Sequence, residues 1–455
     1  MRLIIIGAGP GGYETAVAAA AKGIEVTIIS DGPVGGTCLN EGCIPTKSFC
    51  RNAEILESLS KASVFGLENL SYDFDYSKVI SRKNEVVGQL RQGVEYLLGG
   101  KGITLLRGRA SFAGSHTVKV SSEDPSAGET QVSGDYIIIA TGSTAAVLPI
   151  PGAEYCLTSK EILELETLPK RLCVIGAGVI GLEFASIFRS FGCEVSVVEY
   201  CKEILPRFDS DLAKRLRQAL VKRGITIETS SQVQEVSKNG NIFKLKYLKK
   251  DAGCEIEADA VLMAVGRRPA VGSLNLADAG IEFSPKGIVT DGDMRTNIPH
   301  IFAIGDITGG YMLAHVATFQ GKRALAAILG ESSGVDLNIV PAAVFTYPEA
   351  ASVGLTEDAC KEAGIPVRCI KSFFRANGKA VSMDEPEGFV KLVIAGADAP
   401  GREEGEILGC HLFGAHSADI VQEIAAMMNK RTTVSEFKAV VHAHPTLGEV
   451  LQAGL

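Results

Sequence analysis

No stretch of the chain approaches the roughly 20 consecutive apolar residues that a bilayer span requires. The first apolar run, Leu3 to Ile6, is too short for the core of a secretion signal. Long basic runs are also missing, and the net charge is −8, which argues against a nucleic-acid partner. The residues around the one close cysteine pair offer no further ligands at metal-site spacing, so no metal centre is expected. These absences leave a cytoplasmic globular protein as the expectation, with neither membrane nor nucleic acid among its partners.

The 455 residues suffice for about three domains. The composition, 46% hydrophobic and 22% charged, is ordinary for a folded globular chain. The 50 glycines gather at turns rather than in a low-complexity tract. Most of the 11 cysteines stand singly inside apolar segments, the pattern of a reducing compartment in which buried thiols act as small hydrophobes.

One internal repeat dominates. "GAGPGGYETAVAAAAKGIEVTIIS" (7–30) aligns without a gap on "GAGVIGLEFASIFRSFGCEVSVVE" (176–199), and nine of the 24 positions are identical. Each copy follows a short apolar run, continues with helical spacing and ends in a β-branched run: strand, glycine turn, helix, strand. Later echoes, "DYIIIATGS" (135–143) and "DAVLMAVGR" (259–267), are apolar strands that close on small residues. A further strand and turn, "IFAIGDITGG" (301–310), reads as a return to the first module, so the second is inserted in the first. From Pro341 onward "AAVFTYPEAASVGLT", "GFVKLVIAG" and "GEILGCHLFG" alternate like strands of an antiparallel sheet, with helices expected near 417–430 and 434–440. The fold class is therefore α/β, with two Rossmann-like dinucleotide-binding domains and a separate C-terminal α+β domain.

In Gly7-x-Gly9-x-x-Gly12 the first glycine permits the tight turn, the second lets a pyrophosphate approach the backbone, and the third lets helix and strand pack closely. The helix N-terminus then presents unpaired N–H groups to the phosphates. Gly176, Gly178 and Gly181 repeat the device. At the end of the second strand of that copy stands Glu199, placed to accept hydrogen bonds from adenosine ribose hydroxyls; this favours NAD over NADP. The matching position of the first module is Ser30, beside Asp31, a neutral and weaker partner for a ribose.

"GGTCLNEGCIPTKSF" (35–49) holds Cys38 and Cys43 at the entry to a helix, with Pro45 tolerated in its first turn. A redox-active disulfide is the preferred reading: a bent helix entry can bring two cysteines within bridging distance, and the helix dipole stabilises a thiolate there. Two buried reduced cysteines remain the alternative, and Cys50 reads as such a packing residue.

"GAGPGG", "GGTCLNEGCIPTK", "ATGS", "GAGVIGLEFA", "VGRRP", "IGD" followed by "MLAH", "FTYPEAASVGLTE" and "HAHPTLGE" occur in this order. The combination resembles the pyridine nucleotide-disulfide oxidoreductases over essentially the whole chain. The resemblance implies FAD in a first domain (1–147, completed by 272–339), NAD in a second (148–271), and a C-terminal dimerisation domain (340–455). It implies that Cys38 is the thiol that meets the substrate and Cys43 the one against the flavin. Lys47 matches the lysine near the flavin, and Glu183 its carboxylate partner. Thr37, Ala110, Thr141, Gly142, Ser143, Asp306, Met312, Leu313, Ala314 and His315 fall on FAD positions. Val179, Ile180, Val233 and Gly266 join Gly176, Gly178, Gly181 and Glu199 at the NAD site. His444 and Glu449 match a catalytic base and the carboxylate that orients it, whereas His442 reads as a packing residue. The implied activity is oxidation of dihydrolipoamide on a lipoyl-bearing acyltransferase or carrier protein, with NAD reduced, by a homodimer. Glutathione-type and mercuric-type reductases are rivals within the family. Glu199 opposes the former, and the latter would need a cysteine pair after Cys410. A non-catalytic flavoprotein scaffold is the rival outside it.

Overall fold

The computed structural model describes residues 1–122 and 128–455. Its first sheet is parallel, in the order Ile301–Ala303, Tyr136–Ile139, Arg2–Ile6, Glu25–Ser30, Ile103–Arg107. Leu3 to Ile6 and Ile137 to Ile139 are all buried, because helices and a small sheet cover both faces; hence the unbroken apolar runs rather than alternation. Ile301–Ala303 pairs with Tyr136–Ile139, so the chain returns to its first sheet after building a second one. That second sheet, also parallel, runs Ile225–Glu228, Glu194–Val198, Arg171–Ile175, Ala260–Met263.

Each module also carries a three-stranded antiparallel sheet that the sequence reading does not anticipate: Arg109–Gly114 to Glu129–Ser133 in one, Ser231–Asn239 to Ala252–Ala258 in the other. The expected C-terminal helices are found at Ser417–Met428 and Val434–Lys438. The C-terminal sheet is antiparallel as expected, in the order Ala342–Val344, Ala350–Gly354, Ile407–Phe413, Phe389–Ala395, Val367–Phe373. Two of its three inner members are not half-exposed, however: every residue of Phe389–Ala395 and Ile407–Phe413 is buried. Helix Ser417–Met428 covers one face, while Phe389 and Phe413 on the other join the core that surrounds the second module. Among the described residues no helix is long and apolar enough to cross a membrane.

Lys391 stands in the middle of a buried strand and is 1% exposed. Its ammonium meets Asp209 at 2.9 Å, Asp211 at 3.0 Å and Glu357 at 2.6 Å. Asp209 also caps helix Ser210–Lys222 through the Asp211 and Leu212 N–H groups. One lysine thus ties the second module to the C-terminal sheet. Lys371 donates to Asp211 as well, and with Lys391 holds that carboxyl down to about 2. The folded value lies below the unfolded one of about 3.9, so this tie contributes above about pH 4 and fades as pH falls towards 2. Lys391→Ala would leave Asp209 buried and unpaired, at a cost of about 3–5 kcal/mol. A lowered urea midpoint is expected, partly recovered by adding Asp209→Asn, which removes the orphaned charge.

Candidate active site

A cavity of about 1950 Å³ runs between the two modules and reaches the C-terminal domain. Every cofactor position expected from the sequence lines it except Gly12 and Gly181. Those two sit beneath the first glycine of each turn. A Cβ on Gly12 would lie 1.9 Å from the Gly7 carbonyl oxygen, and one on Gly181 2.0 Å from that of Gly176. They set the closeness of helix to strand rather than touch a ligand. Helices Pro10–Ala21 and Val179–Ser190 begin after Gly9 and Gly178 with no side-chain cap, so their first-turn amides remain available for phosphate oxygens.

The cysteine segment is pinned to the first module by backbone contact. Gly35 and Gly36 both take positive φ, and a Cβ on Gly36 would lie 2.7 Å from Gly9 Cα. The Gly35 N–H donates to the Ala8 carbonyl at 2.7 Å. Two short elements follow: helix Gly36–Glu41 carries Cys38, and helix Cys43–Ser60 begins at Cys43 with Gly42 at the break. Asn40 stiffens the first by donating to the Val34 and Gly36 carbonyls while accepting from Arg91.

Helix Cys43–Ser60 buries Phe49, Cys50 and Ala53 against the second module. Phe49 meets Phe191 edge-on at 6.0 Å between centroids. Cys50 is buried as expected and points at the Phe345 carbonyl; its thiol pKa is raised, chiefly by burial. On the same helix Lys47 reaches across to the buried Glu183, 3.0 and 2.9 Å from its two oxygens. Burial alone would lower the Lys47 pKa, but Glu183 reverses this and the ammonium stays charged. Phe345, from the start of the C-terminal domain, completes the group. Its N–H donates to Glu183 at 3.0 Å, and its ring lies 4.1 Å from the Lys47 ammonium. Sequence reasoning passed over Phe345: it stands in a quoted motif, but only tertiary packing puts it here. Arg267 was missed in the same way; it donates to the Ser143 hydroxyl and carbonyl at 2.7 Å, while that hydroxyl donates to Asp306 at 2.5 Å.

The two thiols are coupled. The neighbouring Cys38 thiol, with the Lys47 charge, outweighs desolvation and brings the Cys43 thiol down to about 7. The negative sulfur of Cys43 beside it, with burial, pushes the Cys38 thiol far up. The arrangement is a nucleophile pair with divided roles: one sulfur is stabilised as thiolate, the other retains its proton.

His444 and Glu449 lie outside this cavity. His444 Nδ1 is 2.8 Å from Glu449 Oε1, and the imidazole is 80% exposed. Glu449 also accepts from the Thr446 N–H at 2.7 Å, and these bonds hold its carboxyl below the usual range. The pair is therefore preformed but faces solvent, away from Cys38 of its own chain. His442 packs on the edge of Phe437; its Nδ1 lies 3.2 Å from the Val440 carbonyl, and its buried Nε2 stands 2.7 Å from a Glu423 oxygen without making a hydrogen bond among the described residues.

The lining of the cavity suits FAD and NAD. Thr141 Oγ1 is buried in the first module's wall with no partner among the described residues, and two uncapped helix N-termini face the cavity. Glu199, at the strand tip of the second module, offers a carboxylate to ribose hydroxyls. The chain fits both dinucleotides.

Two dinucleotide folds opening on one cleft, with a coupled cysteine pair on its wall, define a dinucleotide-dependent disulfide oxidoreductase. The comparisons with known proteins carry this further. The pyridine nucleotide-disulphide oxidoreductase pattern matches residues 1–321, and the dimerisation domain of the same proteins matches 340–454. The chain belongs to that family, and its cofactors are FAD and NAD. It is similar to the dihydrolipoyl dehydrogenase of Chlamydia muridarum, 38% identical over 98% of this chain and 94% of that one. A Bacillus subtilis dihydrolipoyl dehydrogenase is 38% identical over 100% of this chain and 98% of its own length. Among solved structures, the HOCl-induced flavoprotein disulfide reductase RclA from Escherichia coli, in its Cu(II) complex, matches with a TM-score of 0.87 at 29% identity, covering 100% and 98% of the two chains.

In the reduced protein, Cys43 should react with iodoacetamide with a midpoint near pH 7, while Cys38 stays nearly inert until far more alkaline pH. Peptide mapping of the alkylated protein measures both. Lys47→Met removes a charge that lowers the Cys43 value, so its midpoint should move up.

Proposed function

We propose that this protein acts as a dihydrolipoyl dehydrogenase, oxidising dihydrolipoyl groups on an acyltransferase or carrier protein to the cyclic disulfide, with NAD as final acceptor. The observation that carries the reading is the divided cysteine pair beside Lys47 and Glu183, in a chain whose relatives of that name match it end to end. In the oxidised state Cys38 and Cys43 are joined as a disulfide.

His444 takes the proton of one substrate thiol at Nε2, while its Nδ1–H remains on Glu449 and the carboxylate supports the imidazolium. The substrate thiolate attacks Cys38 Sγ; a mixed disulfide forms, the Cys38–Cys43 bond breaks, and Cys43 leaves as thiolate. A thiolate with a pKa near 7 beside the Lys47 ammonium is a good leaving group. The second substrate thiol then loses its proton and attacks its own mixed-disulfide sulfur, closing the ring and returning Cys38, which regains its proton. Bound FAD supplies acceptance of the electron pair from the cysteines and its delivery to NAD as hydride. Lys47 keeps a fixed positive charge beside Cys43 throughout, and Glu183 and Phe345 hold that charge in place.

The base works in a homodimer, reaching Cys38 of the second subunit. This accounts for an imidazole that is preformed on Glu449 yet solvent-exposed and outside its own chain's cavity. The acidic net charge, the scattered single thiols and the bacterial relatives support a cytoplasmic setting.

Steady-state turnover of dihydrolipoamide with NAD tests the substrate. Activity is expected, with little from NADPH and oxidised glutathione; the reverse preference would overturn the assignment. His444→Gln should lower turnover by roughly 10²–10⁴-fold. After subunit exchange between inactive Cys38→Ser and His444→Gln proteins, activity should reappear, because each hybrid holds one site with both groups. Hybrids that stay inactive would place the base within its own chain.

A further inference from the structure

The two glycine modules are near copies, so each functional position in one has a counterpart in the other. At the ribose end the copies differ. Glu199 is 7% exposed, and its oxygens accept from the Ala177 and Cys201 N–H groups, both at 2.6 Å. The carboxylate is thereby locked at the strand tip with lone pairs left for ribose hydroxyls. Its counterpart is Ser30, equally buried at 7%. The Ser30 hydroxyl turns back and donates its single proton to the Gly32 carbonyl at 2.9 Å. Arg107 donates to the same carbonyl at 2.9 Å, so a guanidinium stands near where the other module has a carboxylate. The counterparts of the two amides that hold Glu199 are those of Ala8 and Gly32, and neither has a hydrogen-bond partner among the described residues. Asp31 is exposed and takes part in no hydrogen bond or ion pair among them. The first module thus has the backbone socket for an acidic side chain but no acidic side chain in it.

We infer that this protein does not read the adenosine 2′-hydroxyl of FAD, and holds that cofactor by its pyrophosphate and flavin ends, whereas it selects NAD through the ribose. The inference rests on FAD in the first module and NAD in the second, and deepens that assignment. A ribose hydroxyl held by a buried carboxylate makes a charge-assisted hydrogen bond, whose loss costs roughly ten- to a hundredfold in affinity. One that meets a serine oxygen, with its proton already committed, gains far less. FAD is accordingly exchangeable, and the second dinucleotide is the discriminated one.

The test uses the holoenzyme. It is incubated with an equimolar excess of FAD and FAD carrying 2′-deoxyadenosine, freed of unbound flavin at intervals, and the bound flavins are separated and counted. The two should be retained within about threefold of each other, since only a weak neutral contact separates them. NAD carrying 2′-deoxyadenosine, titrated by fluorescence, should bind at least about tenfold more weakly than NAD. Ser30→Glu fills the socket and should shift retained flavin at least about tenfold towards FAD. Strong preference for FAD in the wild-type protein, or no exchange over a day, would overturn the inference. The same preference lost in Asp31→Asn would give the role to Asp31 and overturn it equally. The wild-type comparison stands even if Ser30→Glu misfolds. A protein that takes up no flavin at all would overturn the cofactor assignment itself, and the inference with it.

Discussion

The ion pair between Lys47 and Glu183 is the contact on which the site depends. It joins helix Cys43–Ser60 to helix Val179–Ser190, and thus the cysteine segment to the second module. Phe345 binds both partners from the C-terminal domain, one through its N–H and one through its ring. A buried pair of this kind adds little to net stability, because desolvation offsets most of the attraction. Its value is electrostatic. A positive charge fixed by three converging segments lowers the cost of a thiolate at Cys43, and the helix N-terminus at which Cys43 sits adds to this. The acidity of one cysteine is therefore a property of how three parts of the chain meet.

The modules show one backbone device used twice. In each, a first glycine at positive φ and a third packed beneath it bring strand and helix close enough for the helix amides to face a phosphate. What differs is the residue at the end of the second strand. The backbone turn is common to both, whereas the strand tip carries a carboxylate locked by two amides in one module and an inward-turned hydroxyl in the other.

Strands Phe389–Ala395 and Ile407–Phe413 of the C-terminal sheet are buried on both sides, unlike most antiparallel strands, because they pack on the domain's own helix and on the second module together. A charged residue in its centre is tolerable only with every proton donor satisfied, and Lys391 has three carboxylates around it. That cluster fixes the domain whose first residues deliver Phe345 and whose last carry His444. The architecture beneath the cysteine pair and the architecture that presents the His444–Glu449 pair are one connected body.

The repeat, the glycine spacings and the ordered motifs are local features, so the sequence by itself determined the two dinucleotide folds, the insertion of one in the other, the cysteine pair and most of the residues that line the cavity between the modules. Burial on both faces of Phe389–Ala395 was not legible, since alternation describes one strand and not what covers it. Phe345 and Arg267 stood in recognisable motifs without assignable roles, because contacts across hundreds of residues leave no mark on local spacing. The internal turn of the Ser30 hydroxyl, the unfilled amides beside it and the exposure of His444 were decided by tertiary structure alone. Each depends on which neighbours occupy the space around a side chain, and packing, not periodicity, sets that.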